Sequence, residues 1–310
     1  CPEEGVTIVV VGKGGKESES VVAGNFTYAG EILGDDPATT EVRLTIAGGI
    51  VEGYVLTSTD WWFIEPLARF DPKAGSDQYL VYVSRETGFS AELENDSVSG
   101  EVFDYPVKDD KIPLAMVADL EYFHQSGDSF IQVMQRHATL VNGVNGIYRM
   151  QFGREFRVPR VVLDLGVHLR ASGALDLLSE LKRFITPEKL VQLQSHIAHL
   201  TTGKDLDAGR LGIGEQRGFR SLSEQSTTLA FRNKVIAARE ISRNFSSTSQ
   251  ASEEHCFVVP PTCLVHTRTL DWEGFDGTVI ARFSDGRQGP ARNNVRDMCL
   301  TLAIRGFACQ

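Results

Sequence analysis

The feature that most constrains this sequence is a change of rhythm near residue 112. Before it lie short runs rich in Val, Ile, Tyr and Trp, at residues 7–11, 25–32, 41–47, 50–57, 61–66 and 79–84, separated by Gly, Asp and Pro. Such runs read as strands. Gly48-Gly49 between two alternating runs marks a hairpin. Lys13-Gly14-Gly15-Lys16 lacks the Gly-Lys-Ser/Thr and the helix of a phosphate loop and reads as a turn. From Ile112 strands alternate with helices. Residues 112–118 form a buried strand that Asp119 ends, and 129–150 carry apolar residues at three-four spacing, as a helix does. His137 falls on that helix's apolar side, the place of a hydrogen-bonded core histidine. A second strand is predicted at 156–163 and a helix at 174–184. Thr186 and Pro187 open a further helix as cap and first residue, continued by Leu190, Leu193, Ile197 and Leu200. On it His196 and His199 stand three apart, a spacing two metal ligands could use. The last long helix spans 229–245. At 310 residues the chain exceeds one ordinary core. The expected units are a β-rich one at 1–108 and an α/β one at 109–310.

Composition excludes several functions. The net charge is -10 and no Lys/Arg run or basic-aromatic stripe stands out, which excludes nucleic acid as a partner. No apolar run approaches the ~18 residues of a membrane helix. Four of the five cysteines, Cys256, Cys263, Cys299 and Cys309, lie near the C-terminus, and the fifth is Cys1. This predicts two C-terminal disulfides, with three pairings open, in an oxidising compartment: secreted, extracellular or cell-envelope. Cys1 is left over and is the residue a mature bacterial lipoprotein would carry its lipid on. Asn25, Asn95 and Asn244 each open a glycosylation sequon.

The chemistry is concentrated in residues 237–250, Ala-Ala-Arg-Glu-Ile-Ser-Arg-Asn-Phe-Ser-Ser-Thr-Ser-Gln. A zincin helix carries two His at i and i+4, which puts both rings on one face, with a Glu beside the first as general base. A longer version adds a Gly turn and a third His. In that frame Glu240 occupies the Glu position, Arg239 and Arg243 the first two His, Ser246 the Gly and Ser249 the third His.

The rest of the chain follows one family in order. Arg43-Leu44-Thr45-Ile46, Gly53-Tyr54-Val55, Phe63-Ile64-Glu65-Pro66-Leu67 and Tyr79-Leu80-Val81-Tyr82 match a β-rich prodomain pattern. Leu114-Ala115-Met116-Val117-Ala118-Asp119 with Tyr122-Phe123 matches an opening strand. Asn142 to Tyr148 stand at "val-asn-x-ile-tyr", and Ala198-His199-Leu200-Thr201-Thr202-Gly203-Lys204-Asp205-Leu206-Asp207 at "ala-his-leu-x-thr-gly-x-asp-leu-asp". Gly209-Arg210-Leu211-Gly212-Ile213-Gly214 matches an edge strand, Ile280 stands where a turn carries Met, and Phe307-Ala308-Cys309 is close to a closing "glu-cys-phe". From Phe26 to Gln310 the chain thus resembles the reprolysin (adamalysin, ADAM-type) zinc metalloproteases. The resemblance implies a β-rich prodomain-like unit and then a metzincin domain, with a mixed, mostly parallel sheet and long helices. It also implies that His199 is structural and that the strand of Gly209, Leu211, Gly212, Ile213 and Gly214 edges a peptide groove, where Glu215 departs from the family's "ala-tyr".

Departures cluster at the reaction centre. Zinc takes neutral imidazole, thiolate or carboxylate, whereas Arg offers only donors and keeps its charge. At ~4 Å and an effective dielectric of ~20 a unit charge pair is worth ~4 kcal/mol, so a dication is repelled by roughly twice that per Arg. Without a metal-bound water Glu240 has nothing to deprotonate, and it is expected to pair with Arg239 or Arg243. No Cys lies between Cys1 and Cys256 to act as a latency switch, and residues 103–111 hold no dibasic site, so the β-rich unit stays attached. The expectation is a pseudoprotease without zinc or cofactor. Its partner would be a protein or peptide, in the former groove or on the β-rich unit, and any membrane attachment would run through Cys1. The alternatives are a hydrolase with a non-standard metal site, using His196, His199, His255 or His266, and a structural surface lipoprotein.

Overall fold

A computed structural model describes residues 6–22, 26–36, 40–57, 60–83, 98–100, 111–207, 210–225 and 230–245, together with 298, 299, 301–303, 305, 307 and 309. In chain order the elements are β1 (Val6–Gly12), β2 (Lys16–Val22), β3 (Thr27–Gly30), β4 (Glu41–Ala47), β5 (Ile50–Leu56), β6 (Trp61–Pro66), β7 (Tyr79–Val83), β8 (Val98–Ser99) and β9 (Ile112–Ala118). Helices α1 (Leu120–Gln125) and α2 (Phe130–Phe152) follow, then β10 (Phe156–Arg157), β11 (Arg160–Asp164), α3 (Ala174–Phe184) and α4 (Pro187–Gln192). The last are β12 (Ile197–Thr202), β13 (Gly212–Gln216), β14 (Arg220–Glu224) and α5 (Ala230–Arg243).

A nine-stranded sheet runs β2-β1-β11-β9-β12-β14-β13-β8, with the short β10 also on β9. Strands β1, β11, β9, β12 and β14 are parallel, while β2 and β13 run antiparallel beside them. Every residue of β9 and β12 is buried, as in strands covered on both faces. The mixed, mostly parallel α/β class therefore matches the expectation. Ser129 caps α2 by accepting from the Gln132 amide at 3.3 Å, and left-handed Gly153 ends it. Thr186 caps α4 with Pro187 behind it, as its sequence predicts.

One expectation is corrected. The helix from Thr186 does not reach Leu200. It stops at Gln192, Gln194 turns through a left-handed conformation, and Ile197-Ala198-His199-Leu200-Thr201-Thr202 forms β12 between β9 and β14. An apolar run this short fits either state by spacing, and ladder bonds on both sides decide it. His196 and His199 therefore share no helical face. Strands from the N-terminal part of the chain join the larger sheet. Strand β1 pairs in parallel with β11, and β8 pairs with β13, so residues 6–22 and 98–99 belong to the larger sheet. The second strand breaks at Pro159 into β10 and β11.

Strands β3 to β7 form a separate five-stranded antiparallel sheet. One cross-strand row is Gly30, Val42, Val55, Trp62 and Val83, and the next is Tyr28, Leu44, Gly53, Ile64 and Val81. The intervening positions of β3 to β5 face α2, and β6 packs on α5. There Arg43 pairs with Glu41 and Glu155, each at 2.7 Å, and the Tyr54 hydroxyl donates to Glu41 at 3.0 Å. Arg69 pairs with Glu52 at 2.9 Å and Glu65 at 2.6 Å, and the Tyr82 hydroxyl also bonds Glu65. Helix α2 lies between this sheet and the larger one. Asn142 donates to the Leu44 carbonyl at 3.0 Å, and Asn145 exchanges hydrogen bonds with the Phe156 backbone. A Cβ at Gly146 would lie 1.6 Å from the Tyr54 hydroxyl, so only glycine lets the sheet approach this closely.

Two histidines sit in the core this creates. His199 bonds Ser221 at 2.8 Å through Nδ1 and Ser223 at 2.9 Å through Nε2. His137 bonds Thr201 and stacks on Tyr122 with 5.3 Å between ring centres. Burial pulls both down to about 3, so both are neutral at pH 7. The unfolded chain binds these protons near ~6.5. Between the two values the unfolded state holds more protons, so stability falls as pH drops through that window. The slope is roughly 1 kcal/mol per pH unit per histidine. Urea unfolding from pH 7 to pH 4 is expected to show this decline, and His199→Gln to reduce it by one histidine's share; an unchanged slope would contradict the assignment.

Candidate functional site

Helix α5 carries the residues in the zincin frame and lies against β13 and β14. The expected helix and its packing on the 209–214 strand are both present. The seating depends on glycine. A Cβ at Gly212 would come within 2.8 Å of Glu240 Cγ, and one at Gly214 within 2.4 Å of the Glu240 carbonyl and 3.2 Å of Arg243. These glycines let the helix lie on the strand. Leu211 and Ile213 are buried, and Gly209 lies outside the described residues.

Beneath that strand Glu240 is fully buried between two guanidiniums. Arg239 Nη1 stands 3.3 Å from one carboxylate oxygen and Arg243 Nε 2.9 Å from the other. Both arginines are at most 3% exposed, so bulk solvent does not screen the triplet. The contacts are close ion pairs without hydrogen-bond alignment. Burial pulls Arg239 down to about 10, against the pull of Glu240, so it stays cationic at neutral pH. The expected pairing of Glu240 is thus made on both sides. Two guanidiniums supply no lone pair, and this donor set does not fit a zinc ion.

The end of the helix is tied to the β13–β14 turn. Asn244 donates to the carbonyls of Glu215 at 3.0 Å and Arg220 at 2.9 Å, and the Arg217 amide donates to the Arg243 carbonyl at 3.0 Å. The Asn244 amide is buried in these bonds, which leaves that sequon no accessible nitrogen. The Glu215 carboxylate accepts from the amides of Phe219 at 3.2 Å and Arg220 at 3.1 Å, and pairs with Lys182 at 3.0 Å and Arg220 at 3.2 Å. Glu215 is therefore a buried anchor for the turn. Arg305 donates to the carbonyls of Arg217 and Gly218 at 3.2 and 2.9 Å. Sequence reasoning gave Asn244 and Arg305 no such role; the only signal was the turn sequence Arg217-Gly218. On its other side β13 receives β8, with Glu215 beside Val98 and Gln216 beside Ser99.

The remaining candidates are scattered. His196 is buried with its ring edge-on to Phe307, 5.1 Å between centres. Cys299 and Cys309 form a disulfide. Cys1, Ser249, His255, Cys256, Cys263, His266 and Ile280 lie outside the described residues. Among the described residues no group of three or more His, Cys, Asp or Glu side chains is placed to hold a metal ion, and no helix is long and apolar enough to cross a membrane.

No family model matches the chain, and no curated protein matches it. Its solved structural neighbours include a metalloproteinase, metalloproteinase-II from Bacteroides fragilis. That match has a TM-score of 0.44 and 9% identity, over 95% of this chain and 84% of that one. Another is a chain in a chaperone–substrate complex, with a TM-score of 0.36 and 10% identity over 68% of this chain. This chain spans only 28% of that one's length. Likenesses this distant assign no activity.

The triplet gives a direct test. Glu240→Gln keeps the shape and removes the charge between two buried guanidiniums. Breaking a buried pair from one side costs about 3–5 kcal/mol, and urea unfolding is expected to show a loss of that size. A loss under ~1 kcal/mol would mean that groups other than Glu240 balance the arginines.

Proposed function

We propose that this chain is a metalloprotease-like protein of the reprolysin type that has given up the reaction and acts by binding another protein. The observation that carries this reading is Glu240 buried between Arg239 and Arg243, at the positions of the base and two zinc ligands. A carboxylate neutralised on both sides and shut from solvent is not poised to take a proton from water. Guanidiniums at both ligand positions repel a dication as well as failing to bind it. The reading therefore includes no zinc and no cofactor. It places the protein outside the cytoplasm, in keeping with the Cys299–Cys309 bond. The partner would be a protein or peptide held at the former groove or on the β-rich region.

Elemental analysis tests it on untagged protein that has been incubated with excess zinc and dialysed, alongside a peptidase assay on unfolded protein substrate. The expected result is zinc near zero and no turnover. Near-stoichiometric zinc, with turnover lost in Glu240→Ala, would overturn the reading.

A further inference from the structure

The five-stranded antiparallel sheet places its charges unusually. All four charged side chains of its strands, Glu41, Arg43, Glu52 and Glu65, are on the inner face and buried. The outer positions of the same strands carry none. There Tyr28, Ile46, Trp62 and Val81 are 51%, 41%, 40% and 56% exposed, with Leu44 and Ile64 half-buried among them. Gly53 in the middle of this face and Val83 at one corner are buried. One-sided antiparallel sheets ordinarily turn apolar residues inward and polar ones to water. Single exposed apolar residues need no explanation, but a contiguous apolar sheet face marks an interaction surface.

We propose that this outer face is a homodimer interface, on which a second copy of the chain packs sheet to sheet. The inference stands on the sheet alone and does not depend on the loss of the protease reaction. A symmetric interface sets each residue type near itself, so it must not repel its own copy. The chain as a whole carries a net charge of -10, whereas this face is uncharged and meets its copy without burying or opposing a charge. Its twisted strands suit the aligned packing of two sheets about 10 Å apart. The extent is modest. Five strands about 4.8 Å apart and five residues about 3.4 Å apart give a face of roughly 24 by 17 Å, or ~400 Å² in projection. Two such faces total ~800 Å² in projection, below the ~1,200 Å² of stable interfaces and in the range of weak, transient ones, so the dimer forms at micromolar concentrations or above and comes apart on dilution. An anionic lipid surface is a poor occupant, because the face has no Lys or Arg and Glu31, Asp35 and Asp36 follow β3 at its rim.

Sedimentation equilibrium of the whole chain tests this over about 5 to 500 µM. The expected result is a monomer–dimer equilibrium that salt strengthens, because screening reduces repulsion between two acidic chains. Val81→Glu and Trp62→Glu are each expected to weaken it ~10-fold or more with an unchanged unfolding midpoint. Leu33→Glu, which alters a fully exposed leucine off the sheet, should leave it unchanged. The wild-type chain gives a second readout if a variant fails to fold: acrylamide quenching of exposed Trp62 should fall as concentration rises. A monomer at every concentration, a dimer indifferent to Val81→Glu, or quenching that does not change with concentration would each overturn the proposal.

Discussion

The buried triplet of Arg239, Glu240 and Arg243 is the constraint on which the rest of this structure turns. Removing three ionised groups from water is costly, and their attraction offsets that cost only while all three stay in place. The helix therefore has one acceptable position, and its surroundings are shaped to hold it there. Gly212 and Gly214 allow it to lie on β13, Asn244 ties its end to the hairpin backbone, and Glu215 fixes the hairpin turn. Such a triplet is weak evidence of extra stability, since apolar residues of similar volume are often as good. Its effect is to specify where α5 sits.

The same device recurs on the opposite side of α2. Arg43 and Arg69 hold pairs of carboxylates on the inner face of the antiparallel sheet, and Gly143 and Gly146 bring Lys234 and Tyr54 close to the helix. Lys234 is buried there beside the rings of Tyr54 and Phe63, and burial lowers its pKa. Helix α2 thus joins the two sheets through glycine contacts and paired charges as well as apolar packing. Turning its charges inward is also what leaves the sheet's outer face without any.

Much of this was legible in the residues. The all-apolar β9, the caps of α2 and α4, and α5 with Glu240 between arginines all follow from local chemistry. His137 reads as a hydrogen-bonded core residue, and it bonds Thr201. What failed were matters of partnership. Residues 197–202 have a spacing that suits a helix, and only pairing with β9 and β14 makes them a strand. The strand of residues 6–12 looks like its β-rich neighbours, yet its partner is β11, some 150 residues away along the chain, and no local signal carries that. Gly212 and Gly214 of β13 accommodate the chain's own helix α5, which residues alone do not show, because a missing side chain does not tell which neighbour approaches.

The account is of α5 as an interior packing element whose charges are balanced within the fold, and amide hydrogen exchange across α5 tests this most directly. Amides of residues 236–243 should exchange only through global unfolding, at rates unaffected by excess zinc or by chelator. Selective protection of residues 239–243 on adding zinc, with the rest of the chain unchanged, would show that this face opens to a metal and would contradict the account.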